Sequence, residues 1–293
     1  MNLTQLRLFR DIAREKSFAR AARGNHMTQP AVSVHIKKLE QELGKVLFKR
    51  SPGNIQLTTE GLEILDDAKE ILRLSEGLKM QACLQRGELV GSIRLATIHS
   101  IGMYELGDFL AAFMKAHPRV AIHLEFQRFD DIYELLLQEK IDLGVVAYPE
   151  KRTNIESIPY GRDELVLVSS PSHPLGKRAS ISLGQLQGEP FIAFDQGMPT
   201  RLATDKLLAE AGVTVDVRMT NDNIYTLKKA VEAGVGLAIV PSGTVDEEVA
   251  RGTLARLRIR GTDTTRPLAL LKRRRAKLGA ATETFIEQLF QFQ

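Results

Sequence analysis

Leu3, Leu6, Phe9, Ile12 and Ala13 recur at helical spacing and predict an amphipathic helix at the start of the chain. The stretch Ala21–Glu42 then predicts a short helix, a break at Gly24-Asn25 and a second helix. Thr28 is placed to cap that second helix, and Pro30 falls in its first turn, where a missing N–H costs little. Val32, Ile36, Leu39 and Leu43 form its buried stripe. At 100° per residue, Pro30, Ser33, Val34, Lys37 and Gln41 lie opposite the stripe. A helix anchored on one face, with small, polar and cationic groups on the other, suits the DNA major groove. Residues 44–50, a turn at Ser51-Pro52-Gly53-Asn54 and residues 55–58 predict a β-hairpin with a basic rim, a wing beside the helix pair.

A long helix follows, predicted over Thr59–Arg86 without proline and with one interior glycine beyond its first turn, Gly77. Ile64, Ala68, Ile71, Ser75, Leu78 and Ala82 alternate spacings of four and three, the pattern of a coiled-coil seam. Such a helix has more apolar face than a small head can cover, so the seam predicts self-association through Ile64, Ile71 and Leu78. Gly87 and Gly91 flank Glu88-Leu89-Val90 and read as a hinge.

From Ser92 onward the pattern alternates strands and helices. Strands are predicted at 93–96, 120–126, 142–147, 164–169, 191–194, 213–219, 236–240 and 267–272. Helices are predicted at 102–116, 130–139, 200–211, 223–233 and 276–292. The nearly all-apolar run Asp142–Ala147 is what a strand covered on both faces requires.

Charge sharpens this picture. Residues 1–58 carry eleven Lys or Arg and four Asp or Glu, a net of +7, whereas the whole 293-residue chain is +4. The remainder is therefore −3, and the basic excess sits where phosphate would be met. The single cysteine, Cys83, excludes an intrachain disulfide and a cysteine zinc cluster, and fits a reducing, cytoplasmic setting. No apolar run approaches membrane-spanning length, and Arg7, Arg10 and Asp11 exclude a signal-peptide core at the N-terminus. The sequence contains no G-x-S-x-G, no H-E-x-x-H and no Walker loop, and its six histidines are scattered, so neither an enzyme nor a metal site is expected. Asp130-Asp131 reads as helix-dipole complement.

The N-terminal segment resembles the DNA-binding domain of LysR-type transcriptional regulators. The matching positions include Phe9, Ser17, Phe18, Ala21, Ala22, Gln29, Pro30, Ala31, Ser33, Ile36, Leu39, Glu40, Leu43, Gly44, Leu47, Phe48, Arg50, Leu57, Thr58 and Gly61. Weaker matches at His117-Pro118, Asp142-Leu143-Gly144, His173-Pro174-Leu175 and 231–237 extend the resemblance along the chain. It implies an α/β protein: a winged helix-turn-helix at 1–58, a linker and dimerisation helix with hinge at 59–90, and a two-lobed, periplasmic-binding-protein-like effector domain at 91–293. Lobe I would hold about 91–161 and 267–293, and lobe II about 162–266. It further implies a homodimer or homotetramer on promoter DNA, contact with RNA polymerase, and no cofactor beyond a small effector.

The expected base and phosphate contacts are Gln29, Pro30, Ser33, Val34, Lys37, Lys38 and Arg50. The chain departs from the family pattern where many relatives carry arginine (Val34) and glutamine (His35). Val34 would offer methyl groups to thymine, and His35 is expected to pack. In a two-lobed fold a ligand enters the crevice between lobes, at strand C-termini and helix N-termini. The loops expected there carry Thr97, His99, Ser100, Ile101, Gln127, Pro149, Phe194, Thr200, Arg201, Asn221 and Pro241. Three hydroxyls, one cation and helix N-termini favour a small anion. Each hydroxyl taken singly is as readily a helix cap. A ligand-independent repressor is the alternative, and an enzyme acting in the crevice a remoter one.

Overall fold

The computed structural model describes residues 1–51, 54–84 and 89–292; within these, the side chains of residue 50, 51, 54, 73, 76 and 79–84 are not described. The head comprises α1 (Leu3–Glu15), α2 (Phe18–Gly24), α3 (Gln29–Leu43) and a hairpin of β1 (Phe48–Ser51) and β2 (Asn54–Leu57). Each helix start is capped by a side chain. Asn2 and Gln5 form a capping box on α1, Ser17 accepts from Arg20 N, and Thr28 accepts from Ala31 N at 3.4 Å. Asn25 seals the end of α2 by donating to the Asp11 carboxylate and Ala21 O, both at 2.9 Å. The three helices and the wing share one core, in which Phe48 meets Phe9 and Phe18 edge-on with centroids 5.5 and 5.7 Å apart. Glu40 of α3 accepts from Leu47 N at 2.8 Å, so the wing is tied directly to the helix beside it.

The next helix, α4 (Thr59–Leu84), begins against the wing. Gly61 is required there, because a Cβ would lie 2.3 Å from Leu47 O. Ala68 and Leu72 are buried in the head core, and Ile64 and Leu65 pack against it. The expected seam is thus divided: Ile64 serves its own head, while Ile71, Leu74 and Leu78 are 38%, 53% and 69% exposed. The side chain of Ala82, residues 85 and 86 at the helix end, and Gly87 and Glu88 of the expected hinge lie outside the described residues; Gly91 opens a strand.

Beyond it two lobes are built on one mixed sheet system. The strands are β3 (Gly91–Thr97), β4 (Val120–Phe126), β5 (Leu143–Ala147), β6 (Ile155–Ser169), β7 (Ser180–Ser182), β8 (Pro190–Phe194), β9 (Asp216–Asn221), β10 (Ala238–Pro241), β11 (Ala255–Arg260) and β12 (Thr265–Arg273). The helices are α5 (His99–Tyr104), α6 (Gly107–Ala116), α7 (Phe129–Leu137), α8 (Pro199–Glu210), α9 (Ile224–Glu232), α10 (Asp246–Arg251) and α11 (Ala280–Gln291). Lobe I has the strand order β4-β3-β5-β12-β6. In lobe II the second half of β6 pairs with β10 and β11, β11 pairs with β7, and parallel β8–β9 joins through the Phe191–Leu237 bridge.

Several sequence expectations are corrected. The helix expected over Gly102–Ala116 is two helices, α5 starting earlier at His99 and α6 at Gly107, with a break at Glu105-Leu106. β6 starts nine residues before its apolar run, because Ile155–Asp163 alternate and pair with β12 in lobe I before the chain enters lobe II. The short elements β7 and α10 carry no apolar periodicity long enough to be read from sequence, whereas β11, in which Ala255, Leu257 and Ile259 alternate with arginines, has a strand pattern that the sequence reading passed over.

Candidate functional site

The outward face of α3 is built as its spacing requires. Val32, Ile36 and Leu39 are fully buried, which turns Gln29, Pro30, Val34, Lys37 and Gln41 to solvent, with Lys38 on the flank. Ser33 and His35 are half-buried at its edges. Val34 is 67% exposed, a large apolar side chain at the centre of a polar face. Lys45 and Lys49 add exposed positive charge at the wing side. Arg50 sits on β1, and its side chain lies outside the described residues.

In lobe I the loop after β3 and the residue after β4 are joined by Gln127 N donating to Thr97 O at 3.0 Å. Thr97 is fully buried, and its hydroxyl donates to Val145 O at 2.9 Å. Its proton is therefore committed to β5 and only its lone pairs remain. Ile101, expected at the crevice, is fully buried in the lobe I core. His99 stacks on Phe126 at 4.9 Å, and Gln127 donates to Glu125 at the surface. Pro149 is half-buried and follows Tyr148, whose φ of 51° is left-handed.

In lobe II, Phe194 and Asn221 are register partners at the ends of β8 and β9. Asn221 accepts from Asn223 N, and Pro241 O accepts from the Thr244 hydroxyl, so both support the turns that follow their strands. Thr200 is buried in the first turn of α8. Arg201 is not the free cation expected. Its Nε donates to both Asp205 oxygens at 2.7 and 2.8 Å and its Nη1 to Phe194 O at 2.9 Å, which neutralises the charge locally.

The cation that does occupy the junction is Arg266, which sequence reading missed. It is fully buried at the start of β12. Its Nη2 donates to the Ser100 hydroxyl at 2.7 Å and its Nη1 meets the Asp163 carboxylate at 3.3 Å, while Nε has no partner. Ser100 accepts from a cation, so its own proton is free to donate elsewhere. Burial pushes the Arg266 guanidinium below its ordinary value, and Asp163 opposes this. Glu105 is raised above the usual carboxylate range, first by burial and then by Asp163. An arginine following two threonines looks like surface in one dimension; only the pairing of β12 with β6 brings it inward. Among the described residues no group of three or more His, Cys, Asp or Glu is placed to hold a metal. Among the described residues no helix is long and apolar enough to cross a membrane.

The family described as "Bacterial regulatory helix-turn-helix protein, lysR family" matches residues 3–62, and "LysR substrate binding domain" matches residues 86–292. This chain belongs to the LysR family of transcriptional regulators. It is 31% identical to the RuBisCO operon transcriptional regulator of Acidithiobacillus ferrooxidans over 98% of this chain and 93% of that one. The solved structure of full-length CbnR complexed with its target DNA is similar over 100% of both chains, with a TM-score of 0.60 and 25% identity. The CcmR regulatory domain of Synechocystis PCC6803, solved in complex with 2-PG, covers 69% of this chain and 97% of its own, with a TM-score of 0.64 and 26% identity. The LysR-type chain thus carries a DNA-binding helix-turn-helix and an effector-binding domain, and its relatives are named regulators, not enzymes.

Proposed function

We propose that this regulator binds promoter DNA as a dimer or a dimer of dimers, and that a small anion in the inter-lobe crevice changes how its heads engage DNA and RNA polymerase. Gln29, Pro30, Ser33 and Val34 approach base edges; Lys37, Lys38 and Arg50 meet phosphate. Such a protein works in the cytoplasm. The apolar positions Ile71, Leu74 and Leu78, left open on α4 outside the head core, support pairing of two copies through this helix.

The observation that carries the effector reading is the chemistry of the helix starts. α7 and α8 begin at Arg128 and Met198 without any side-chain cap, so their first amides are unsatisfied by their own caps, unlike those of α9, where Asn223 accepts from Tyr225 N. Uncapped amides and the Ser100 proton present donors, which select an acceptor-rich ligand. The CcmR domain's complex with 2-PG makes that compound the first probe. Arg201, held by Asp205, is reassigned from ligand cation to support for the β8–α8 loop.

The test is thermal stabilisation of the full chain by 2-PG and by a panel of small anions, neutral molecules and amines. A ligand stabilises by RT ln(1 + [L]/Kd), about 2.7 kcal/mol at a hundredfold excess over Kd. Ser100→Ala is expected to reduce the anion shift while leaving effector-free DNA affinity nearly intact. A best ligand that is cationic or apolar sinks the anion assignment. Undiminished binding by Ser100→Ala and Thr200→Val together sinks the crevice assignment.

A further inference from the structure

Helix α5 belongs to lobe I by its core, yet its end does not. Ile101 and Leu106 are fully buried in the lobe I cluster. Tyr104, between them, packs its ring against the lobe II cluster that contains Phe194, Ile224, Leu227 and Val240. There its hydroxyl accepts from the ammonium of Lys228 at 2.9 Å, and that ammonium stands 4.6 Å from the ring centroid. Lys228 is 2% exposed, an unusual place for a lysine. It also donates to Thr244 O at 2.6 Å and pairs with Glu248 at 2.7 Å. All three ammonium donors are used, and one of the three acceptors is supplied by the other lobe. The next residue, Glu105, reaches toward Gly243 of lobe II. A Cβ at Gly243 would lie 3.1 Å from Glu105 Oε1, so the glycine leaves the space that the carboxylate enters.

The covalent links between lobes are few. β6 crosses near Asp163–Leu165, and β12 begins at Thr265 beside it, with Leu165 N donating to Thr264 O. Two adjacent chain crossings on one side form a hinge that by itself fixes no angle. The two-residue tongue of Tyr104 and Glu105 contacts lobe II through residues 228 and 242–248, elements distinct from the crossing strands.

We infer that Tyr104 and Glu105 form an inter-lobe latch: by completing the hydrogen bonding of buried Lys228 and filling the space over Gly243, they hold the lobes at one fixed angle. Releasing the tongue leaves Lys228 with Thr244 and Glu248, both of its own lobe, so the open state keeps its ion pair and remains accessible. The latch is a property of the lobes themselves and holds whichever ligand the crevice takes.

The test is amide hydrogen exchange of the full chain without ligand. Tyr104→Phe removes the acceptor and keeps the ring. Gly243→Ala presses on Glu105 from the opposite lobe and touches no hydrogen bond. Tyr104→Phe is expected to accelerate exchange about tenfold at residues 242–246 and at the crossings 162–166 and 264–267, the scale of one lost bond to a charged donor, and Gly243→Ala to accelerate the same segments by a smaller factor, since the Glu105 carboxylate need shift only slightly. The lobe centres, β5 and β10, should be unchanged, and Met103→Ala, on the exposed side of the same helix, should change neither region. Acceleration confined to residues 99–106, no acceleration at all, or equal acceleration of both lobe centres would each overturn the latch.

Discussion

Val34→Ala isolates the contact that distinguishes this head. In the free protein Val34 is 67% exposed in mid-helix, so truncation removes little buried surface, and alanine is the better helix former. Stability should change by less than about 0.5 kcal/mol, the range of ordinary surface substitutions. On DNA the balance differs. If the two lost carbons sit against a thymine methyl, burial worth about 0.8 kcal/mol each is forfeited, up to ~1.6 kcal/mol or about 15-fold in affinity. No charge changes, so binding to random duplex and the salt slope should stay as they were. The assay is fluorescence anisotropy on an operator selected from a random pool by the wild-type protein, beside a scrambled duplex at the same salt. Replacing the contacted thymine by uracil in the wild-type complex should reproduce the loss, and combining it with Val34→Ala should add little. An equal loss on operator and scrambled DNA, or none on either, would refute the placement of Val34 at a base edge.

Lys37→Ala should do the opposite, weakening all duplexes alike and lowering the salt slope by about one unit; a loss on the operator alone would reassign Lys37 to a base. Ile71→Asp places an unpaired charge in the α4 contact at a cost of several kcal/mol, so sedimentation should show a folded protein of lower mass, and an unchanged mass would remove the seam. Arg266→Leu leaves Asp163, 8% exposed at its side chain, without its cation, and should lower urea stability by about 3–5 kcal/mol, largely restored by adding Asp163→Asn; a loss below about 1 kcal/mol would show the pair to be incidental. Glu105 has its folded pKa raised, so the native state holds its proton more tightly than the unfolded chain and stability falls as pH rises through that window. Glu105→Gln should therefore match wild type near pH 4 and exceed it near pH 8, and equal melting temperatures at both would contradict the burial of this carboxylate.

The head was legible from the sequence because its determinants are local. Thr28 caps α3 by reaching three residues, Pro30 tolerates one position, and a stripe of period 3.6 decides which residues face out. Strand β5 announced itself by an apolar run for the same reason: it is buried at every position, so its whole length had to be hydrophobic, whereas the lobe I half of β6 alternates and was not read. The division of labour along α4 was not legible. A heptad pattern states that a face wants covering, but it does not state what covers it; the head core takes Ala68 and Leu72 and leaves Ile71 and Leu78 open.

The proposed effector site was half legible. Strand–helix junctions marked Thr97, Ser100, Thr200 and Arg201 as candidates, since the ends of apolar runs mark where loops begin. Which of their polar atoms are free depended on partners far along the chain. Asp205 one turn on neutralises Arg201, and Val145 on a neighbouring strand takes the Thr97 proton. Arg266 reaches Ser100 across a separation of 166 residues. Sequence patterns encode how much apolar surface each segment must bury, a quantity summed over its own residues. The pairing of a buried charge depends on the one or two groups that strand register and lobe contact bring within 3–4 Å. That proximity, which gives Arg266, Lys228 and Glu105 their partners, was decided only when β12 lay against β6 and the end of α5 entered lobe II.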